Sequence, residues 1–292
     1  MTDATLNIHT AAPRRASPAL RLLRKHYTLM LGGLILLVVV VAALGAPWIA
    51  THDPQAINPI ARMKAPSGEH LFGTDALGRD TFSRAVWGAR VSLMTGASVA
   101  LLATLLGVAL GLLAGFVRWT DGPIMRVMDG LMAIPGILLA IALMALTKAS
   151  LTTVIVAITV PEIPRMVRLV RALALSLRER LYVEAAHALG TPLCTILRRH
   201  VLPNILAPLL VQATFIAASA VLAEAALSFL GVGVPPQVPS WGNMISEGRN
   251  LIAIVFYPIV FPGVLLGLTV LAINLLGDGL RDALDPHVAR QL

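Results

Sequence analysis

Charge is in short supply in this sequence. Only 13% of its 292 residues are Asp, Glu, Lys or Arg, about half the share found in a soluble domain. So few charges cannot furnish a water-facing surface for a chain of this length. Hydrophobic residues make up 57%, and the mean hydropathy is +0.81, which places the chain in a bilayer. Aromatics are scarce too, at 5%. A single cysteine, Cys194, excludes an intramolecular disulfide and a multi-cysteine zinc site. No Gly-Lys pair occurs anywhere, so no G-x-x-x-x-G-K-[ST] loop binds ATP here. H-E-x-x-H and G-x-S-x-G are also missing, and no span holds a pair of aspartates. No catalytic or metal-ligating residue is therefore assigned.

What is present is a series of apolar runs. The first is uncharged from Tyr27 to Thr51. It is too long for the core of a cleavable signal peptide and long enough to cross a bilayer, which takes about 20 residues. Residues 91–117, 130–147, the run from Leu151, residues 204–230 and residues 251–276 complete an expected six transmembrane helices. Residues 118–129 read as a short polar turn. Pro161 and Pro164 are expected to bend or interrupt the fourth span. The fold class is an all-α membrane protein in three parts: an N-terminal segment 1–26 with an interfacial helix over 17–26, a first span and polar segment over 27–90, and a core of five spans over 91–292.

The net charge of +8 does not point to nucleic acid, because the basic residues lie beside apolar spans rather than in a basic domain with stacking aromatics. It fits membrane orientation better. With the N-terminus inside, the inside segments carry more than twice the Lys and Arg of the outside ones, so both termini are expected in the cytoplasm.

The longest polar interruption of the second half is residues 172–203, ending LYVEAAHALGTPLCTILRRHVLP. Tyr182–Leu189 is rich in Ala, Leu and Glu, which favour helix. Gly190 follows as a helix stop. Thr191 is expected to cap a second helix with Pro192 in its first turn. Leu181, Ala185, Ala188 and Leu189 share one face at helical spacing, with Glu184 at its edge. The pattern describes a short exposed docking helix followed by a sharp turn. Two acids fall at membrane depth, where charge is costly and faces protein or a water-filled cavity. Glu162 has Arg165 one turn on as a local partner. Glu224 either hydrogen-bonds a neighbouring span or lines a cavity or its gate.

Glu184-Ala185-Ala186, Gly190 and Leu202-Pro203 stand in the register of the EAA loop of permease subunits of ABC importers, which this stretch resembles. His200 occupies the position where that motif has Ile, a departure shared with the peptide/nickel branch. Further runs resemble the dipeptide/oligopeptide/nickel permease family in order along the chain. They are FGTDALGRD, with Gly73, Thr74, Asp75, Gly78, Arg79 and Asp80, then GARVSL, IPRMVRLVRA, EAALSFLGVG around Glu224, PSWGNMISEGR with Trp241, and DGLRDALDP. His287 stands where the family usually has Arg or Lys.

The resemblance covers residues 17–286 and is specific to the second permease of such importers. It implies a type I ABC importer permease with a cytoplasmic coupling loop, paired with a homologous permease as a heterodimer in the bacterial inner membrane. It also implies two ATPase subunits that hold ATP and Mg, an extracytoplasmic substrate-binding protein, and no cofactor on this chain. Asp75, Arg79 and Asp80 are expected to form local salt bridges. Two other classes were open to this composition. An ion-coupled secondary transporter needs intramembrane ionisable groups, for which Glu162 and Glu224 are the plausible acids. An intramembrane enzyme needs a constellation that the spans lack.

Overall fold

The computed structural model describes residues 27–284. The segment 1–26, with its expected interfacial helix, and Asp285-Pro286-His287 lie outside the described residues. The described chain is helical, and its strand pairing is limited to an isolated bridge between Thr74 and Asp80.

Helix α1 (Tyr27–Leu44) stops seven residues before the end of the uncharged run. Gly45 breaks it, and a short α2 (Ala46–Ile49) follows with Pro47 in its first turn. Helix α3 (Thr81–Phe116) begins ten residues before the apolar run does, because the Asp80 carboxylate caps it by accepting from the Ser83 N–H at 2.7 Å. At 1.5 Å per residue α3 is about 54 Å long, so its first turns stand outside a hydrocarbon core of about 30 Å.

Residues 118–129 do not form a short turn. They belong to α4 (Arg118–Met132), an amphipathic helix that bends by 88° into α5 (Gly136–Ala145) across Ala133-Ile134-Pro135. Sequence reasoning missed α4 because its apolar positions are spaced for one face and never form a run. Helix α6 (Leu151–Arg178) continues through Pro161 and Pro164 without interruption; of the expected bend or interruption, the interruption is absent. Each proline removes one i→i−4 bond, while packing against α3, α5 and α9 (Leu202–Phe229) holds the backbone helical.

Glycine makes the contact between α3 and α6 close. A Cβ on Gly107 would lie 2.5 Å from Met166 Cβ, one on Gly111 2.6 Å from Val170 Cβ, and one on Gly115 2.6 Å from Ala174 Cβ. Residue numbers rise together along this seam, so α3 and α6 run in the same direction. The α4–α5 pair must therefore carry the chain back across the layer. By length and composition alone, α1, α3, the run Leu193–Phe229 and α11 (Tyr257–Leu284) qualify as spans, with α4–α5 as a fifth when counted as one bent crossing. Glu162, Arg165 and Arg168 keep α6 off that list. Its parallel packing on α3 makes it the sixth crossing.

Helix α1 lies antiparallel on α11, with Gly32 against Ala272 and Leu276 and Gly279 against Leu29. Residues 27 and 284 thus share one end of the bundle with the 179–201 loop. Residues 45–80 and 230–256 share the other. Within the latter, α10 (Trp241–Gly248) interrupts the expected outside loop, and α11 begins at Tyr257 rather than at Leu251.

Candidate functional site

The loop between α6 and α9 is itself helical. Helix α7 (Leu181–Ala188) is held by one buried side chain, Val183, which joins Ile196, Val201 and Ile205 in the main core. Its other face is bare: Leu181 and Leu189 are 83% and 86% exposed, and Ala185 and Ala188 are exposed beside them. The helix ends in a Schellman motif. Thr191 N–H donates to Ala186 O at 3.1 Å and Gly190 N–H to His187 O at 2.9 Å, with Gly190 at φ +75°. Thr191 does not cap the next helix; Pro192 takes that position without a side-chain cap, because the Schellman turn has already engaged the Thr191 backbone. Helix α8 (Leu193–Ile196) passes through a π-helical turn, Leu197–Val201, into α9. Leu202 is half-buried and Pro203 exposed at that junction. Glu184 lies in the first turn of α7, where a carboxylate complements the helix dipole. Its side chain is exposed, and its carboxylate pairs with none of the described cations. The nearby Arg198 and Arg199 line a shallow basic recess with Cys194, Thr195 and Pro203.

At the opposite end, the polar segment is laced onto α3 and α10. Asp75 Oδ1 accepts from the N–H groups of Leu77 at 2.8 Å and Arg79 at 3.0 Å, closing the turn. Asp75 Oδ2 accepts from Arg79 Nε at 2.6 Å and from Arg84 Nη1. Glu247 on α10 completes the network, accepting from Arg79 Nη2 at 2.6 Å and from Arg84 Nη1 at 2.8 Å. Gly78, at φ +75°, lets the turn touch the neighbouring strand of chain: a Cβ there would fall 1.8 Å from Asn58 O. Gly73 has φ +72°, and Thr74 N–H donates to Lys64 O at 3.0 Å. Asp80 does not join the ion-pair network. Besides capping α3, it meets His70 Nδ1 at 2.9 Å. Trp241 is fully buried and donates from Nε1 to Ala85 O at 2.9 Å. Arg84 is 2% exposed. Removing one partner of a buried pair costs about 3–5 kcal/mol, so Arg84→Met should lower the melting temperature of the purified protein markedly. A melting point unchanged within error would show that the network carries no load.

Two acids lie deeper. Glu224 on α9 is 0% exposed; Ser228 Oγ of its own helix donates to it at 2.8 Å and Ser92 Oγ of α3 at 3.3 Å. Both carboxylate oxygens thus face hydroxyls. Glu224→Gln retains an accepting oxygen, so most of the transport that the sequence resemblance implies should survive in vesicle uptake. Loss of uptake with normal assembly would instead assign the carboxylate to a cavity or gate. Glu162 on α6 meets Arg165 Nη1 at 3.2 Å and accepts from Ser219 Oγ of α9 at 3.0 Å. It lines a recess of about 460 Å³ with Pro135, Ile137, Ile158, Leu222 and Ala226.

Residues 103–290 match the family described as the inner membrane component of binding-protein-dependent transport systems. The chain belongs to this family. Residues 17–66 match the N-terminal transmembrane domain of oligopeptide transport permease C. The chain is 49% identical over 268 residues to a putative peptide transport system permease protein of Brucella abortus, covering 92% of this chain and 90% of that protein. It is 48% identical to a probable peptide ABC transporter permease of Sinorhizobium fredii, covering 97% of each. A glutathione transport system permease of Escherichia coli is 42% identical over 92% of this chain and 89% of its own. Among solved structures, the inward-facing MetNI methionine ABC transporter matches 69% of this chain and 96% of its own with a TM-score of 0.57 at 21% identity, a likeness of fold. The chain is a permease subunit of an ATP-binding-cassette importer and an integral inner-membrane protein. It is not an enzyme. In this family ATP is hydrolysed by separate ATPase subunits, and a binding protein presents the substrate.

Sequence reasoning named Asp75 and Arg79 but missed Arg84 and Glu247. The signal was available for Arg84: a lone cation in the first turn of a long apolar helix needs an acid to pair with. For Glu247, 163 residues away, no local pattern announces the partner.

Proposed function

We propose that this chain forms a heterodimer with a homologous second permease, and that the pair imports peptides handed over by an extracytoplasmic binding protein. Two ATPase subunits dock from the cytoplasm, one of them on α7. The peptide reading draws on the relatives, whose names give peptides, dipeptides and glutathione. The docking reading is carried by one observation: α7 and its C-cap bear two bare leucines, Leu181 and Leu189, on a helix otherwise pinned by Val183. Uncovered apolar surface rimmed by polar groups marks an interaction site. Glu184, Ala185, Ala186 and Gly190 shape that face, and Leu202-Pro203 joins it to α9, so a push on α7 is delivered to a span.

The loop end of the bundle is cytoplasmic in this reading, supported by the basic residues that cluster there. In a Cys194→Ser background, Glu69→Cys and Gln237→Cys should react with an impermeant thiol reagent in spheroplasts, and His187→Cys should not. The reverse pattern overturns the orientation. For the cargo, vesicles holding both permeases and both ATPases, supplied with binding protein and ATP, should take up labelled di- and tripeptides. ATP hydrolysis that responds to the binding protein without uptake of any peptide overturns the peptide reading and leaves the importer intact.

A further inference from the structure

We propose that His52, His70 and Asp80 form an extracytoplasmic binding site for a divalent first-row transition cation, with Zn2+ as the fitting case. The three residues come from separate stretches: His52 follows α2, His70 lies in the polar segment, and Asp80 caps α3. Their ligand atoms all lie within 4.8 Å of one another. Asp80 Oδ1 is 2.9 Å from His70 Nδ1 and 3.9 Å from His52 Nδ1. Zinc binds imidazole nitrogen and carboxylate oxygen at about 2.0–2.2 Å, which sets tetrahedral donors about 3.3 Å apart. The two separations to Asp80 Oδ1 straddle that value, and an ion that draws all three donors together requires the exposed His52 side chain to move inward.

A hydrogen bond joins His70 to Asp80 at 2.9 Å, and His52 Nδ1 lies 3.0 Å from the Thr51 hydroxyl beside it. The His52 side chain is 38% exposed and has open solvent to turn into. Instead its ring lies beside that of His70, with centroids 4.8 Å apart, and its Nδ1 lies 3.9 Å from the oxygen that His70 meets. Two imidazoles and a carboxylate sharing one focus suit zinc and its neighbours rather than Mg2+ or Ca2+, which prefer oxygen ligands. Three protein ligands leave a fourth position, and the exposed side at His52 opens it to water. Asp80 is oriented from behind by the Ser83 N–H at 2.7 Å on its other oxygen, the kind of outer support that fixes metal ligands. The ion would tie the end of the first span to the start of α3, next to the Asp75–Arg84–Glu247 network and on the end of the bundle away from α7. Its effect is to stiffen this surface.

The test uses the assembled transporter purified through a tag without histidine, stripped with chelator and dialysed against Zn2+ alone. One Zn2+ per permease chain is expected beyond that of the His52→Ala variant, with a rise in melting temperature on Zn2+ addition that the variant lacks. Excess Mg2+ should not displace the metal. His52 is exposed, so the variant should melt with the wild type in chelator, which keeps folding separate from binding. His70→Gln should lose the same equivalent. Zinc content in the wild type no greater than in His52→Ala overturns the site. So does metal retained in the His52→Ala/His70→Gln double variant, which would place it elsewhere.

Discussion

Glu184→Lys, Leu189→Asp and Gly190→Val should each leave the permease expressed, inserted and paired, yet lower ATPase attachment by tenfold or more. Glu184 carries an exposed carboxylate that no described cation neutralises. A hydrogen bond to such a group contributes about 1.5–3 kcal/mol, equivalent to about 10–100-fold in binding, and charge reversal adds repulsion. Leu189 is 86% exposed, so Asp there disturbs no core and removes an apolar contact from the docking face. Gly190 acts through backbone alone. A Cβ there meets nothing within 4 Å, so no clash spreads into the fold. Its φ of +75° is costly for any L side chain, by about 1–2 kcal/mol, and more for a β-branched one. Gly190→Ala should therefore be milder than Gly190→Val. Pull-down of the ATPase subunits and peptide uptake in vesicles give the readout. Normal attachment and uptake in all three variants would sink the assignment of α7 as the docking helix.

Most of α7 was legible in the sequence because its determinants are local. Helix formers, a glycine and an apolar face all sit within ten residues. The spans were legible for a similar reason, since charge-free runs need no partner to be recognised. The failures were of other kinds. Helix α4 was read as a turn because its polar and apolar residues fall on opposite faces and leave no charge-free run. Pro161 and Pro164 were expected to bend or interrupt α6, but neighbouring helices keep it continuous, and propensity yields to packing. Asp80 was grouped with Asp75 and Arg79 by proximity in sequence. The fold separates them, giving Asp75 to two arginines and Asp80 to a helix cap and a histidine. The Glu224 contact with Ser92, 132 residues away, belongs to the bundle and to no segment of the chain.

The glycine seam between α3 and α6 is where a single methylene should matter most. Gly107, Gly111 and Gly115 fall one turn apart, opposite Met166, Val170 and Ala174. Small residues at this spacing let two helices approach until backbones touch. At Gly111 an added Cβ would meet Val170 Cβ at 2.6 Å and also Val167 O at 2.9 Å. The second contact is backbone, so no rotamer change relieves it and the helices must separate. Separation undoes the seam at Gly107 and Gly115 as well, and moves α6 away from the core that carries α7. Overpacking of this kind costs about 1–3 kcal/mol when the surroundings can shift; three coupled contacts on two rigid helices leave less room to shift. Gly111→Leu is therefore expected to abolish stable assembly, read as loss of the monodisperse complex on size exclusion. Gly122→Leu, where a Cβ meets nothing within 4 Å, should assemble normally. If Gly111→Leu assembles and transports like the wild type, the close parallel packing of α3 on α6 is not what holds the core together.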